Sequence, residues 1–204
     1  MLGPLLSDLD GTIADTAPVI FASLRKTCEE LEIDLTPEQE MSWVLGPPLH
    51  WCLEQLGVPD DVLPQAVEIF ERCHTELMHM ITPMPGADVV IRELADQGIL
   101  VGIATIKPQY AAELVLETLG IRDLVHSLHG RTDDADPRTK TDLLRLARDE
   151  LAGDHPLYVG DHSNDEIAAG NLDIPFLWHP ENSWDVIRAA VLGLASHEAD
   201  ELIR

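Results

Sequence analysis

Residues 99–105 read Ile-Leu-Val-Gly-Ile-Ala-Thr, an apolar run with no polar residue until its last position. A strand exposed on one face alternates polar and apolar residues. An unbroken run is expected of a strand buried on both faces, in a parallel sheet covered by helices. Shorter runs of the same kind occur in "LLSD" (5–8), "PLYVGD" (156–161) and "IPFLWH" (174–179), with a weaker one in "DLVHSLHG" (123–130). Helical periods separate them. "YAAELVLETLG" stops at Gly120, "TKTDLLRLARDEL" places Leu143, Leu144, Ala147 and Leu151 on one face, and "DEIAAG" and "SWDVIRAAVLG" follow. Strands alternating with helices imply βαβ units and a mostly parallel sheet.

One stretch departs from this rhythm. From residue 17 to 82 nothing reads as a strand. "TAPVIFASLRKTCEELEI" spaces Ile20, Leu24, Cys28 and Leu31 for one helical face. Thr36 is expected as an N-cap with Pro37 at the first helical position, and "GPPLHWCLEQLGVPDD" and "PQAVEIFERCHTELMHM" continue as helices. The two prolines of "ITPMPGA" suit a return hinge. The expected fold class is therefore α/β: a Rossmann-like parallel-sheet three-layer sandwich core (1–16 and 83–204) with an all-helical cap (17–82) inserted after the first strand.

Ligands of such sheets bind outside the carboxyl ends of the strands. Asp8 and Asp10 end the first apolar run, Thr105 ends the second, Asp161 ends "PLYVGD", and Lys140 follows the loop after "DLVHSLHG". Alternation along a strand sends Asp8 and Asp10 to the same side, where two like charges need a cation, a proton or a substrate to compensate them.

Composition narrows the partners. The chain of 204 residues carries 37 acids against 13 lysines and arginines, a net charge of −24. Such a field repels nucleic acid and anionic membranes, and suits solubility or a salty cytoplasm. No stretch approaches the ~18 apolar residues of a membrane span, and "MLGPLLSD" does not resemble a signal peptide. Cys28, Cys52 and Cys73 form no C-x-x-C pair and are expected to be reduced thiols, so a cytoplasmic location is expected. Lys26, Lys107 and Lys140 are the only lysines, which leaves few candidates for gripping an anion.

Four stretches, in order, carry a family resemblance: "DLDGT" (8–12), "IATIKP" (103–108), Lys140, and "GDHSND" (160–165). Together they resemble the four motifs of the haloacid dehalogenase-like hydrolase superfamily, and the helical insertion resembles that family's C1 cap. "GPP" at 46–48 and the T-x-K-P form of the second motif are similar to the phosphoglycolate phosphatase-like branch, which implies Gly46 and Pro47 as substrate contacts. The resemblance implies a phosphatase acting on a small-molecule phosphate ester. It also implies that Asp10 lends its backbone carbonyl to the metal and that Lys140 fills the third-motif position. Ile106 stands where Asn often follows the motif-two Ser or Thr, and Ser7 where an apolar residue is usual.

The residues themselves point to the same chemistry. A phosphate monoester needs a nucleophile, a general acid and cations. Asp8 is the expected nucleophile, forming an aspartyl-phosphate, and Asp10 the expected acid and then base. Clustered carboxylates favour Mg²⁺ over zinc, with Asp8 and Asp161 as side-chain ligands and Asp165 as a ligand or water-mediated support. Asp165 equally suits a helix N-terminus. Thr105 offers a hydroxyl and Lys140 a charge to the phosphoryl oxygens, with Lys107 the rival lysine. Asp15 suits linker or hinge support, His162 a supporting role, and His50 or Trp51 a place against substrate. A sugar-phosphate mutase of the same superfamily and a catalytically silent binding module are the alternatives. Monomer and homodimer are both open.

Overall fold

The computed structural model describes residues 3–35, 42–132, 136–151, 153–181 and 183–193; Thr36 and Pro37 lie outside them. The chain forms two compact units, Met1–Asp15 with Thr82–Arg204, and Thr16–Ile81.

In the first unit β1 (Leu5–Ser7) is followed by β2 (Ala14–Asp15), β3 (Thr82–Pro83), α4 (Ala87–Asp96), β4 (Val101–Pro108) and α5 (Gln109–Thr118). Then come β5 (Ser127–Arg131), α6 (Lys140–Glu150), β6 (Leu157–Gly160), α7 (Ser163–Asn171), β7 (Phe176–Trp178) and α8 (Trp184–Val191). The main sheet has the order β5-β4-β1-β6-β7, all parallel, so the first strand in sequence lies at its centre. Leu5 faces Val101 on one side and Leu157 on the other, and Leu5, Leu6 and Ser7 are fully buried. A strand enclosed in this way has no solvent face to satisfy, which is why its sequence does not alternate.

Leu6, Ala104 and Tyr158 of the sheet pack with Leu143, Leu144 and Ala147 of α6 and Ala168 and Ala169 of α7. Pleating turns Leu5, Val101 and Ile103 away from that cluster, toward the layer of α4 and α5, and α4 in turn packs on α8. The expected three-layer α/β core is present.

The second unit holds α1 (Ala17–Glu30), α2 (Leu49–Gln55) and α3 (Leu63–Leu77) with 3₁₀ turns at Ser42–Val44 and Met78–Met80. Leu24, Val44, Cys52, Leu53, Val58 and Ala66 form its core. Ser23 and Thr27, buried in α1, donate their hydroxyls to the carbonyls of Val19 and Ser23 one turn back, at 2.7 and 2.8 Å, so burial leaves neither unpaired. No strand occurs among the described residues of this unit.

Three features add to the sequence expectation. At "ITPMPGA", where a return hinge is expected, a short antiparallel pair sets Asp15 against Thr82 and Ala14 against Pro83 at the boundary between the units. A helix not anticipated, α4, follows Gly86 and buries Val90, Ile91 and Leu94. Strand β4 runs beyond Thr105 to Pro108, with its register against β5 broken between Ala104 and Pro108.

All three thiols are buried, Cys28, Cys52 and Cys73 at 0, 2 and 1% exposure. Burial pushes the Cys28 and Cys52 thiols up to about 11. A thiol held protonated and out of solvent reacts slowly. The native protein at pH 8 is therefore expected to show no fast phase with Ellman's reagent, and all three thiols to react in guanidinium. A fast native phase would contradict this packing.

Candidate active site

β1 delivers Asp8 at its carboxyl end, 7% exposed. Asp8 Oδ1 accepts from the Leu9 N–H at 2.7 Å and from Lys140 Nζ at 2.6 Å. Lys140 is the first residue of α6, a position fixed by a capping box in which Thr139 and Asp142 each accept from the other's backbone N–H. The same ammonium reaches Asp165 Oδ1 at 2.9 Å. One buried lysine thus bridges two buried carboxylates from different ends of the chain.

Asp165 is more heavily engaged than Asp8. Its Oδ1 also accepts from the Tyr158 hydroxyl at 2.7 Å, and its Oδ2 from the His162 N–H at 3.1 Å, which caps α7. The helix N-terminal role expected of Asp165 is present, and its carboxylate also lies in the acid cluster. Asp161 follows β6 and accepts from Thr12 Oγ1 at 3.1 Å. Gly11 makes this approach possible. Its φ is +74°, and a Cβ there would stand 2.1 Å from Asp161 Oδ2. Gly160 serves Asp165 similarly, since a Cβ there would lie 2.5 Å from the Asp165 side chain.

One oxygen each from Asp8, Asp161 and Asp165 lie within 4.8 Å of one another. Burial, with Asp165 adding to it and Lys140 opposing it, raises Asp8 from 3.8 to about 7. Burial followed by the Asp165 charge also raises Asp161. Lys140 loses proton affinity to burial but regains more from Asp8 and Asp165, and ends above the ordinary lysine value. One lysine does not neutralise the three acids. An all-oxygen set with surplus negative charge is what a hard divalent cation takes, so these residues fit such an ion.

A second group adjoins the ends of β1 and β4. Asp10, more open than Asp8, receives Lys107 Nζ at 3.1 Å on Oδ1 and 3.4 Å on Oδ2. Its carboxylate is not among the three clustered acids. Thr105 is buried, and its Oγ1 accepts from the Lys107 N–H at 3.1 Å, which leaves the hydroxyl proton to be donated elsewhere. Asp8, Asp10, Thr105, Lys107, Lys140, Asp161 and Asp165 all belong to the first unit. Gly46 and Pro47 belong to the helical unit, at the turn before α2, with Gly46 at φ +103°. Trp51 stands edge-on to Trp43, their ring centroids 5.8 Å apart. His162 accepts from the Asn164 N–H at 3.2 Å as part of the α7 cap.

Four supporting residues were not singled out from sequence. Tyr158 and Thr12 hold Asp165 and Asp161. Trp184, 1% exposed, donates Nε1–H to the Thr12 carbonyl at 3.1 Å and so braces the turn after Asp10. Arg138 clasps Asp136 and reaches the Gly130 carbonyl at 3.2 Å, tying the segment before Lys140 to β5. Tyr158 had a sequence signal, because a phenol in an apolar central strand must find a polar partner.

The family model for haloacid dehalogenase-like hydrolases matches residues 5–179. Tyrosine-protein kinase PtkA of Mycobacterium tuberculosis is 24% identical over 204 residues, 97% of this chain and 70% of that protein. The phosphoglycolate phosphatase of Cereibacter sphaeroides is 27% identical over 178 residues, 83% of this chain and 81% of that one. A haloacid dehalogenase-like family hydrolase of Streptococcus pneumoniae shares the fold, with a TM-score of 0.74 at 22% identity over 87% of this chain and 84% of that chain.

The raised Asp8 has a consequence for metal-free stability. Its proton is bound more tightly folded than unfolded, so this contribution is present below pH ~4 and is lost as pH rises through about 7. Asp8→Asn cannot ionise and lacks that loss. In chelator, thermal melts are expected to fall less between pH 5 and 8 for Asp8→Asn than for wild type, leaving the variant a few degrees the more stable at pH 8. Parallel pH profiles would show that Asp8 is not strained in this way.

Proposed function

Because the chain belongs to the haloacid dehalogenase-like hydrolase family, we propose that it is a Mg²⁺-dependent phosphatase that hydrolyses a small phosphorylated metabolite through an aspartyl-phosphate on Asp8. The observation that supports this best is the joint engagement of Asp8. One oxygen is fixed by Leu9 and Lys140, among acids that fit a cation. The nucleophile is thereby oriented without both oxygens being consumed.

Asp8, Asp161 and Asp165 would hold the Mg²⁺, with the Asp10 carbonyl as a further donor. The ion, when bound, offsets the negative charge shared by the acids and the phosphoryl oxygens. In the first half-reaction an Asp8 oxygen forms a bond to phosphorus as the bond to the leaving oxygen breaks. Asp10 gives that oxygen its proton. In the second, a water oxygen attacks the same phosphorus, its proton passes to Asp10, and the Asp8–phosphorus bond breaks to release phosphate. Lys140 and the Thr105 hydroxyl steady the phosphoryl oxygens in both half-reactions, most strongly while charge is being redistributed. Gly46 and Pro47 of the helical unit would contribute to substrate choice.

Hydrolysis of p-nitrophenyl phosphate tests this reading. Wild type is expected to need Mg²⁺, and Asp8→Asn to lose about 10³-fold or more in kcat/KM. Turnover that survives chelator, or survives Asp8→Asn, would overturn it. Mg²⁺ is also expected to raise the melting temperature of wild type, and to do so much less for Asp161→Asn. An equal rise in both would remove Asp161 from the ion's ligands.

A further inference from the structure

Lys107 is one of only three lysines, and sequence alone left it as a rival phosphate contact. Its surroundings show a different commitment. The Lys107 side chain is 9% exposed, and its ammonium spans both oxygens of Asp10 at 3.1 and 3.4 Å. Its backbone N–H holds Thr105 Oγ1. One residue therefore ties together two groups assigned to the chemistry.

The backbone that carries Lys107 is built for this aim. The register of β4 breaks between Ala104 and Pro108, and such irregularities redirect side chains beside functional sites. Gln109, which opens α5 just after the break, fastens it to β5: its Oε1 accepts from the Gly130 N–H at 2.7 Å and its Nε2 donates to the Leu128 carbonyl at 3.2 Å. Gly130 has room for this only because it lacks a side chain, since a Cβ would stand 2.7 Å from the Lys107 carbonyl. A flexible surface lysine needs no such mounting.

We propose that Lys107 is a positioning residue that orients Asp10 as the base of the second half-reaction, rather than a contact to the substrate phosphate. The inference rests on the phosphatase reading above. An ammonium only donates hydrogen bonds, so once Asp10 has given its proton to the leaving oxygen, both oxygens that Lys107 faces are held as acceptors. A carboxylate fixed in that role takes the proton of the attacking water while phosphorus passes from Asp8 to the water oxygen. Asp8 leaves as a carboxylate, and inorganic phosphate is released.

Stopped-flow hydrolysis of 2,4-dinitrophenyl phosphate with Mg²⁺ separates the possibilities, because that leaving group needs no proton and only the second half-reaction calls on Asp10. Lys107→Met is expected to release close to one dinitrophenolate per active site in a burst, followed by turnover slowed about 10–100-fold. KM is expected to fall in step, so that kcat/KM stays within about threefold of wild type. Asp10→Asn is expected to behave alike, the double variant to add little, and Lys107→Arg to recover part of kcat. A raised KM with lowered kcat/KM would instead make Lys107 a phosphate contact and overturn the proposal. So would unaltered kinetics, or loss of the burst in both Lys107→Met and Lys107→Gln. A wild type without Asp8-dependent turnover is a separate outcome, which overturns the phosphatase reading itself and the proposal with it.

Discussion

The core site depends on one buried ammonium. Lys140 holds Asp8 at 2.6 Å and Asp165 at 2.9 Å, and so links the end of the central strand to the first turns of α6 and α7. Withdrawing such groups from water costs several kcal/mol per ion, and the attraction repays it only when the remaining hydrogen-bonding positions are filled. Leu9, Tyr158 and His162 supply those contacts. Removing Lys140 would leave acids buried beside one another with nothing to oppose them, so this interaction ties the shape of the core to the chemistry it hosts.

The use of cations in so acidic a chain follows from the same physics. At the surface, arginines make most of the pairs: Arg72 with Glu30, Arg145 with Asp142, Arg148 with Asp149 and Arg188 with Glu93. Two of the three lysines are instead buried against Asp8, Asp165 and Asp10. A planar guanidinium suits a forked grip on exposed carboxylates, whereas a compact ammonium on a slender stem can enter a crowded acid cluster and share itself among several oxygens.

Much of this was legible in the sequence, because the strongest signals were physical necessities. A doubly buried strand disfavours charged residues along its length, so acids such as Asp8 and Asp161 stand out where the strands end. Lys140 stands out as a cation opening a helix. What escaped depended on register or on single atoms. The two-residue strands β2 and β3 are too short to show a period. The helix α4 begins directly after Pro83, Pro85 and Gly86, whose turn chemistry obscures it. The meeting of Lys107 with Asp10 depends on a local break in the β4 register, which residue spacing does not encode. The bond from Trp184 to the Thr12 carbonyl joins positions far apart in the chain, and an indole at the start of a helix does not announce its partner.

The short antiparallel pair of Ala14–Asp15 with Thr82–Pro83 fixes the places where the chain leaves the core unit and re-enters it. With those ends pinned, the intervening segment is a closed loop as far as the core is concerned. The entropy of closing a flexible loop grows only with the logarithm of its length, about 0.6 kcal/mol for each doubling. A lineage can therefore lengthen, trim or exchange the Thr16–Ile81 segment with little effect on whether the core folds. The site built around Asp8 and whatever that segment contributes become separately heritable traits, joined at two residues on each side.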